Sequence, residues 1–150
     1  MHNIIDINHI KHFNFLKVEE YDYCDYYIDK QKHVVFINFT RNVMFTVEMG
    51  KALFYKAFEF FPTEKVYVII SISEKTQLEN GALDFISSEE RCKKVISDAF
   101  IIKSTALKFV SNFYLRIKNP KIHTKVFNEL DEAFDWTADQ MNLFNLAGNL

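Results

Sequence analysis

The sequence predicts an α/β fold: a mixed sheet built in the order ββαβαβαβα, with helices mainly on one face. Three features carry that expectation. Residues 98–136 read as strand, helix, strand, helix in succession. Val66 to Ile72 is a near-continuous β-branched run, the composition of a strand covered on both sides. Gly50, Leu53, Phe54, Ala57, Phe58 and Phe61 recur at the spacing of a helix that buries one stripe.

Residues 1–20 mix Ile and Phe with His, Asn and Lys in no clean period, and read as an N-terminal arm or an extra edge strand ahead of a domain spanning 21–147. From Tyr21 to Phe39 two runs rich in Tyr, Val, Ile and Phe flank the polar Asp29-Lys30-Gln31-Lys32, which is the pattern of a hairpin. Thr46 then caps the amphipathic helix that Pro62 ends. After the β-branched run, a polar stretch from Glu74 to Gly81 leads to Ser87-Ser88-Glu89-Glu90, where hydroxyl cap and first-turn carboxylates predict a helix to about Ser97. Ala99 to Ile102 is the next strand, Ser104-Thr105 caps a helix that stops before Asn119-Pro120, Thr124 to Phe127 is the last strand, and a helix follows Asn128. That helix should bury Leu130, Ala133, Phe134 and Met141.

Composition narrows the function classes. One domain is the natural reading of 150 residues without an internal linker. With 49% hydrophobic residues, sixteen Phe and seven Tyr, the core should be generous and disorder is not expected. A formal net charge of -2 provides no electrostatic footprint for nucleic acid. Cys24 and Cys92 lie far apart and no signal segment opens the chain, which fits a reducing cytoplasm. Apolar runs are far shorter than the roughly 20 residues that span a bilayer.

The element order, the segment STALKFVSNFYLRIKNPKIHTKVF (residues 104–127) and the Ala133-x-x-Trp136 pattern in the last helix resemble the STAS domains, the fold of anti-sigma-factor antagonists, and more closely a STAS-like branch found in the Bacteroidetes. The resemblance covers about Tyr21 to Trp136. It implies a mixed sheet and a regulatory, protein-binding role. It also implies a switch position, because STAS antagonists are phosphorylated on a serine at the start of the helix after the central strand. Ser87 and Ser88 are the candidates here, although the family's aspartate is displaced and its glycine absent. A phosphate there would meet a helix N-terminus, whereas a plain cap would be worth about 1 kcal/mol.

Two candidate contact surfaces come from the residues themselves. In the helix after Ser104, Ala106, Phe109, Val110, Phe113 and Ile117 form one stripe, and Leu107, Tyr114 and Leu115 fall outside it, as an interface would require. Alternation along the first strand places Tyr21, Tyr23 and Tyr27 with Asp25 and Asp29 on a face expected to be wet. Cys24 falls on the other face and reads as core. His9 and His12 share a helical spacing, but two ligands do not make a metal site, and no metal or cofactor is expected. The basic residues around Asn119-Pro120 complement a helix dipole. No nucleophile with its base can be assembled. The expectation is a non-enzymatic module that binds a protein partner or itself. The alternative is a carrier of a small apolar ligand held between sheet and helices.

Overall fold

Residues 5–109, 111 and 121–147 are described in the computed structural model. The six-stranded sheet runs β1-β2-β3-β5-β7-β8, where β1 is Leu16–Glu20, β2 Cys24–Asp29, β3 Val34–Phe39, β5 Val66–Ser71, β7 Val95–Ile101 and β8 His123–Phe127. β1, β2 and β3 pair antiparallel, and β3, β5, β7 and β8 pair parallel. Every residue of β3 and β5, the two middle strands, is buried, as their apolar runs require. A second, two-stranded sheet joins β4 (Met44–Phe45) to β6 (Gln77–Leu78) beyond the carboxyl ends of β3 and β5. Sequence reading did not anticipate those two short strands.

The parallel strands follow one another across the sheet in chain order, and that sweep dictates where helices go. If each step moves the same way, crossovers of the usual right hand pass over the same face. Helix α1 (Val47–Phe60), the short α2 (Ala82–Ile86) and α3 (Glu89–Cys92), and Leu107 of the helix that begins at 105 (α4, described over 105–109) all pack on the side of Tyr26, Ile28, Val35, Val68 and Ile70. α5 (Leu130–Leu146) follows the last strand, is no crossover, and lies on the opposite side with Tyr27, Phe36, Ile69 and Ala99. Helices therefore cover mainly one face of the mixed α/β sheet.

Residues 5–15 complete that second layer. A single 3-10 turn, Ile7–His9, precedes Phe13 and Phe15, which are buried against Phe134 at ring-centroid distances of 6.1 and 5.9 Å. The buried carboxylate of Asp29 holds this segment to the hairpin: one oxygen accepts from the Asn14 N–H at 2.9 Å, the other from the Lys32 N–H at 3.1 Å across the turn. The face expected to be wet is therefore dry at Tyr27 and Asp29, because α5 and the Phe13/Phe15 segment cover it.

α1 shows how closely layers approach. Thr46 accepts from the Met49 N–H at 3.0 Å as N-cap, and Gly50, Leu53, Phe54 and Ala57 are buried. A Cβ on Gly50 would lie 3.2 Å from Phe85 and 3.3 Å from Phe45, so glycine permits the α1–α2 contact. Its carboxyl end is met by two ammonium groups from neighbouring elements, Lys30 donating to the Phe60 carbonyl and Lys94 to the Phe61 carbonyl. Phe58, expected in the buried stripe, instead lies half-exposed at its border, while Phe61 is fully buried.

The helix expected from Ser87 to Ser97 is two pieces and a strand. Ser87 ends α2, its hydroxyl donating back to the Leu83 carbonyl at 3.0 Å, and Ser88 restarts the chain as N-cap of the four-residue α3. β7 begins at Val95 because Val66 pairs there, so residues 95–98, assigned by periodicity to the helix or its border, are strand.

Candidate functional site

The seam between α1 and α3 carries aromatic side chains that the fold leaves uncovered. Tyr55 is 47% exposed and Phe58 39%, with centroids 6.4 Å apart, and both rings pack on Phe54. Each is oriented by a polar group: the Tyr55 hydroxyl donates to Glu90 at 2.6 Å, and the Lys94 ammonium lies 4.1 Å from the Phe58 ring centre. The acceptor carboxylate raises the Tyr55 hydroxyl above its ordinary value. Lys94 is pushed below the ordinary lysine value by burial. A notch beside the rings, lined by Phe58, Pro62, Thr63, Glu90, Lys93 and Lys94, is an open depression of about 440 Å³. An apolar centre flanked by both signs of charge can bury against a complementary surface and set its orientation.

α3 is fixed in place by a buried ion pair. Arg91 donates from Nη1 to Asp98 Oδ2 at 2.6 Å and from Nη2 to Oδ1 at 2.7 Å, and Nη1 also reaches the Ile86 carbonyl at 2.7 Å. Arg91 is 5% exposed and Asp98 1%. Two parallel bonds match guanidinium to carboxylate, so the pair locks α3 and the end of α2 onto β7. The pair escaped sequence reading because the strand was started at Ala99. Only when β7 extends back to Val95 does Asp98 fall in register with the inward-facing Phe100 and Ile102.

The sequence-derived candidates fare differently. The helix after central strand β5 begins at Ala82 with Gly81 as N-cap, at φ 90°. Ser87 stands at the carboxyl end of that helix, and Ser88 is the N-cap of α3. Tyr21 and Tyr23 stack at 5.4 Å and 25° and are half-buried against the α1 layer, where burial raises both hydroxyls, that of Tyr23 to about 12. Tyr27 is on the opposite side, buried and stacked on Phe36 at 5.4 Å, so the three tyrosines form no common surface. The strand starts only at Cys24, and the irregular turn before it breaks the alternation. Leu107 packs into the core, whereas Phe109, placed in the buried stripe, is 74% exposed. Tyr114 and Leu115 lie outside the described residues.

Cys24 is fully buried, and burial pushes its thiol up to about 12. His12 Nε2 donates to Asp135 Oδ1 at 2.8 Å, and among the described residues no group of three or more His, Cys, Asp or Glu could hold a metal. Among the described residues a cavity of about 40 Å³ lies beneath α1, lined by Tyr26, Leu53, Phe85 and Arg91, and one of about 20 Å³ lies beneath α2 and Leu107. Organic ligands occupy pockets of roughly 300–1,000 Å³.

A family model for a domain of unknown function, DUF7793, matches residues 26–140, from β2 into α5. The chain belongs to the DUF7793 family. Among solved structures, this DUF7793 chain is similar to an uncharacterised protein of the DUF3478 family from Shewanella loihica PV-4, described as having a SpoIIAA-like fold. The TM-score is 0.52 at 16% identity, over 83% of this chain and 92% of that one. The likeness is one of fold, and it is the STAS-like fold. No curated protein matches the DUF7793 sequence. Among the described residues no helix is long and apolar enough to cross a membrane.

Proposed function

We propose that this chain is a cytoplasmic, non-enzymatic module that works by binding protein, either a regulatory partner or a second copy, through the α1–α3 seam. The observation that carries the reading is the half-exposed Tyr55–Phe58 pair, held in place by Glu90 and Lys94 in an otherwise well-packed layer. Large aromatic area already oriented by its neighbours loses little entropy on binding, which suits a contact surface. The small volumes beneath α1 and α2 favour this reading over a carrier holding an apolar ligand there. Perturbed groups point the same way: burial, rather than an activating base or cation, is the leading cause of the shifts at Cys24, Tyr23 and Tyr26, which makes them inert rather than reactive. Free thiols at Cys24 and Cys92 fit a reducing compartment.

Sedimentation of the purified chain and affinity capture from its source cell, each repeated with Phe58→Asp, test the reading. Self-association or a retained protein that Phe58→Asp abolishes, at unchanged thermal stability, is the expected result. A chain that stays monomeric and retains the same proteins with and without the substitution would overturn it.

A further inference from the structure

A further depression lies on the opposite face of the sheet from the seam, and its chemistry differs. It lies at the amino ends of the parallel strands, between the hairpin turn, the start of β5 and the carboxyl half of α5, with an open volume of about 1080 Å³. Tyr67, Ile96, Met141 and Phe144 supply an apolar floor, in which Phe144 meets Tyr67 edge-on at 6.3 Å and 90°. Lys32, His33 and Lys65 stand along one wall.

The charges are not balanced within the groove. Lys32 is already engaged, donating to the His12 carbonyl and lying 5.5 Å from the Phe13 ring centre, and so holds the N-terminal segment in place. His12 is paired with Asp135. The one acid in the lining, Glu64, has its carboxyl pKa lowered by adjacent backbone N–H groups and by the nearby Lys30 and His33. Lys65 is exposed and has no ion pair among the described residues. The groove thus offers a cation above an apolar floor, in a chain whose formal net charge is -2.

We infer that this groove binds an amphipathic anion, an alkyl chain ending in a carboxylate, with the chain along Tyr67, Ile96 and Met141 and the carboxylate on Lys65. Apolar area gives the chain its affinity, and the charge-assisted contact selects the head group. A neutral alcohol of the same length would keep the first contribution and lose the second. A cationic amphiphile would meet Lys65 and Lys32 as repulsion.

Titration of the full chain with dodecanoate, dodecanol and dodecyltrimethylammonium below their micelle concentrations, by calorimetry, tests this. Dodecanoate should bind saturably, tighter than dodecanol, and the cationic amphiphile should not compete. Lys65→Glu, at an exposed position, should keep the melting temperature and weaken dodecanoate about tenfold or more. Met141→Glu, which puts a charge on the floor, should weaken dodecanoate and dodecanol alike. Absence of saturable dodecanoate binding to the wild-type chain, equal binding of the cationic amphiphile, or affinity unchanged by Lys65→Glu would each overturn the inference.

Discussion

On one side of the sheet α1, α2 and α3 are crossovers, tethered at both ends to strands they connect; on the other, residues 5–15 lead into β1 and α5 follows β8. The fastenings differ accordingly. The crossover side uses directional polar contacts: the Arg91–Asp98 pair, the Lys30 and Lys94 contacts with the end of α1, and Tyr26 donating to the Leu53 carbonyl at 3.1 Å. The α5 side uses aromatic area, with Phe15, Phe36 and Phe134 in mutual contact at centroid distances of 5.3 to 5.9 Å. A short helix such as α3 has too little apolar face to hold itself, so a buried ion pair fixes its position. A long helix and two phenylalanines are held mainly by burial, with the Asp29 carboxylate fastening Asn14 to the hairpin.

The largest effect expected from breaking this contrast is at Arg91. Arg91→Ala leaves the Asp98 carboxylate buried without its partner and should cost about 3–5 kcal/mol in urea unfolding. The double substitution Arg91→Met, Asp98→Leu should recover most of that loss, because well-packed apolar groups often replace a buried pair without penalty. A double variant no better than the single one would show that the site depends on the ion pair itself. On the α5 side, Phe15→Ala should cost about 3 kcal/mol, at the lower end for a buried aromatic because the segment can partly close the gap. It should also open residues 5–15 to protease before the rest of the chain unfolds. Simultaneous cleavage across the chain would mean that the two sides are one cooperative unit.

The smallest effect concerns the thiols. At pH 8 the folded chain should titrate only the half-buried Cys92 with a thiol reagent, and the unfolded chain both Cys92 and Cys24. Burial raises the Cys24 thiol from its ordinary 9.0 to about 12. Between those values the unfolded chain ionises first, so the residue's contribution to stability is complete below about pH 9 and falls as pH rises towards 12. Rapid reaction of both thiols in the folded state would show that β2 opens readily.

Local signals identified most elements, and the failures share a cause. Thr46, Gly50 and Pro62 mark α1 because caps, close approach and termination are properties of neighbouring residues. Phe58 was misplaced because a stripe's border depends on what packs beside it, and α3 with Lys94 leaves that ring half-exposed. A signal for the seam did exist: Tyr55 and Phe58 sit three residues apart on the flank of the main stripe. Tyr27 and Asp29 were read as wet because period-two alternation says only that two faces differ, and both are covered here. The end of the helix expected at Ser97 moved to Cys92 because strand pairing at Val95 outweighs the weak helical preference of a short segment.

By itself the sequence determined the order of the main elements, the middle of the sheet and, through the one-directional sequence of strands that this order allows, a mixed α/β sheet. Those follow from periodicity and capping, which act within a few residues. Tertiary structure alone decided that β1 extends the sheet and that Asp98 lies inside opposite Arg91. It also decided that Gly81 rather than a serine opens the helix after β5, that Tyr55 and Phe58 stay uncovered, and that Lys65 stands beside the floor formed by α5. Each depends on residues far apart in the chain, and no local pattern encodes which distant surface will arrive to cover, pair with or spare a given side chain.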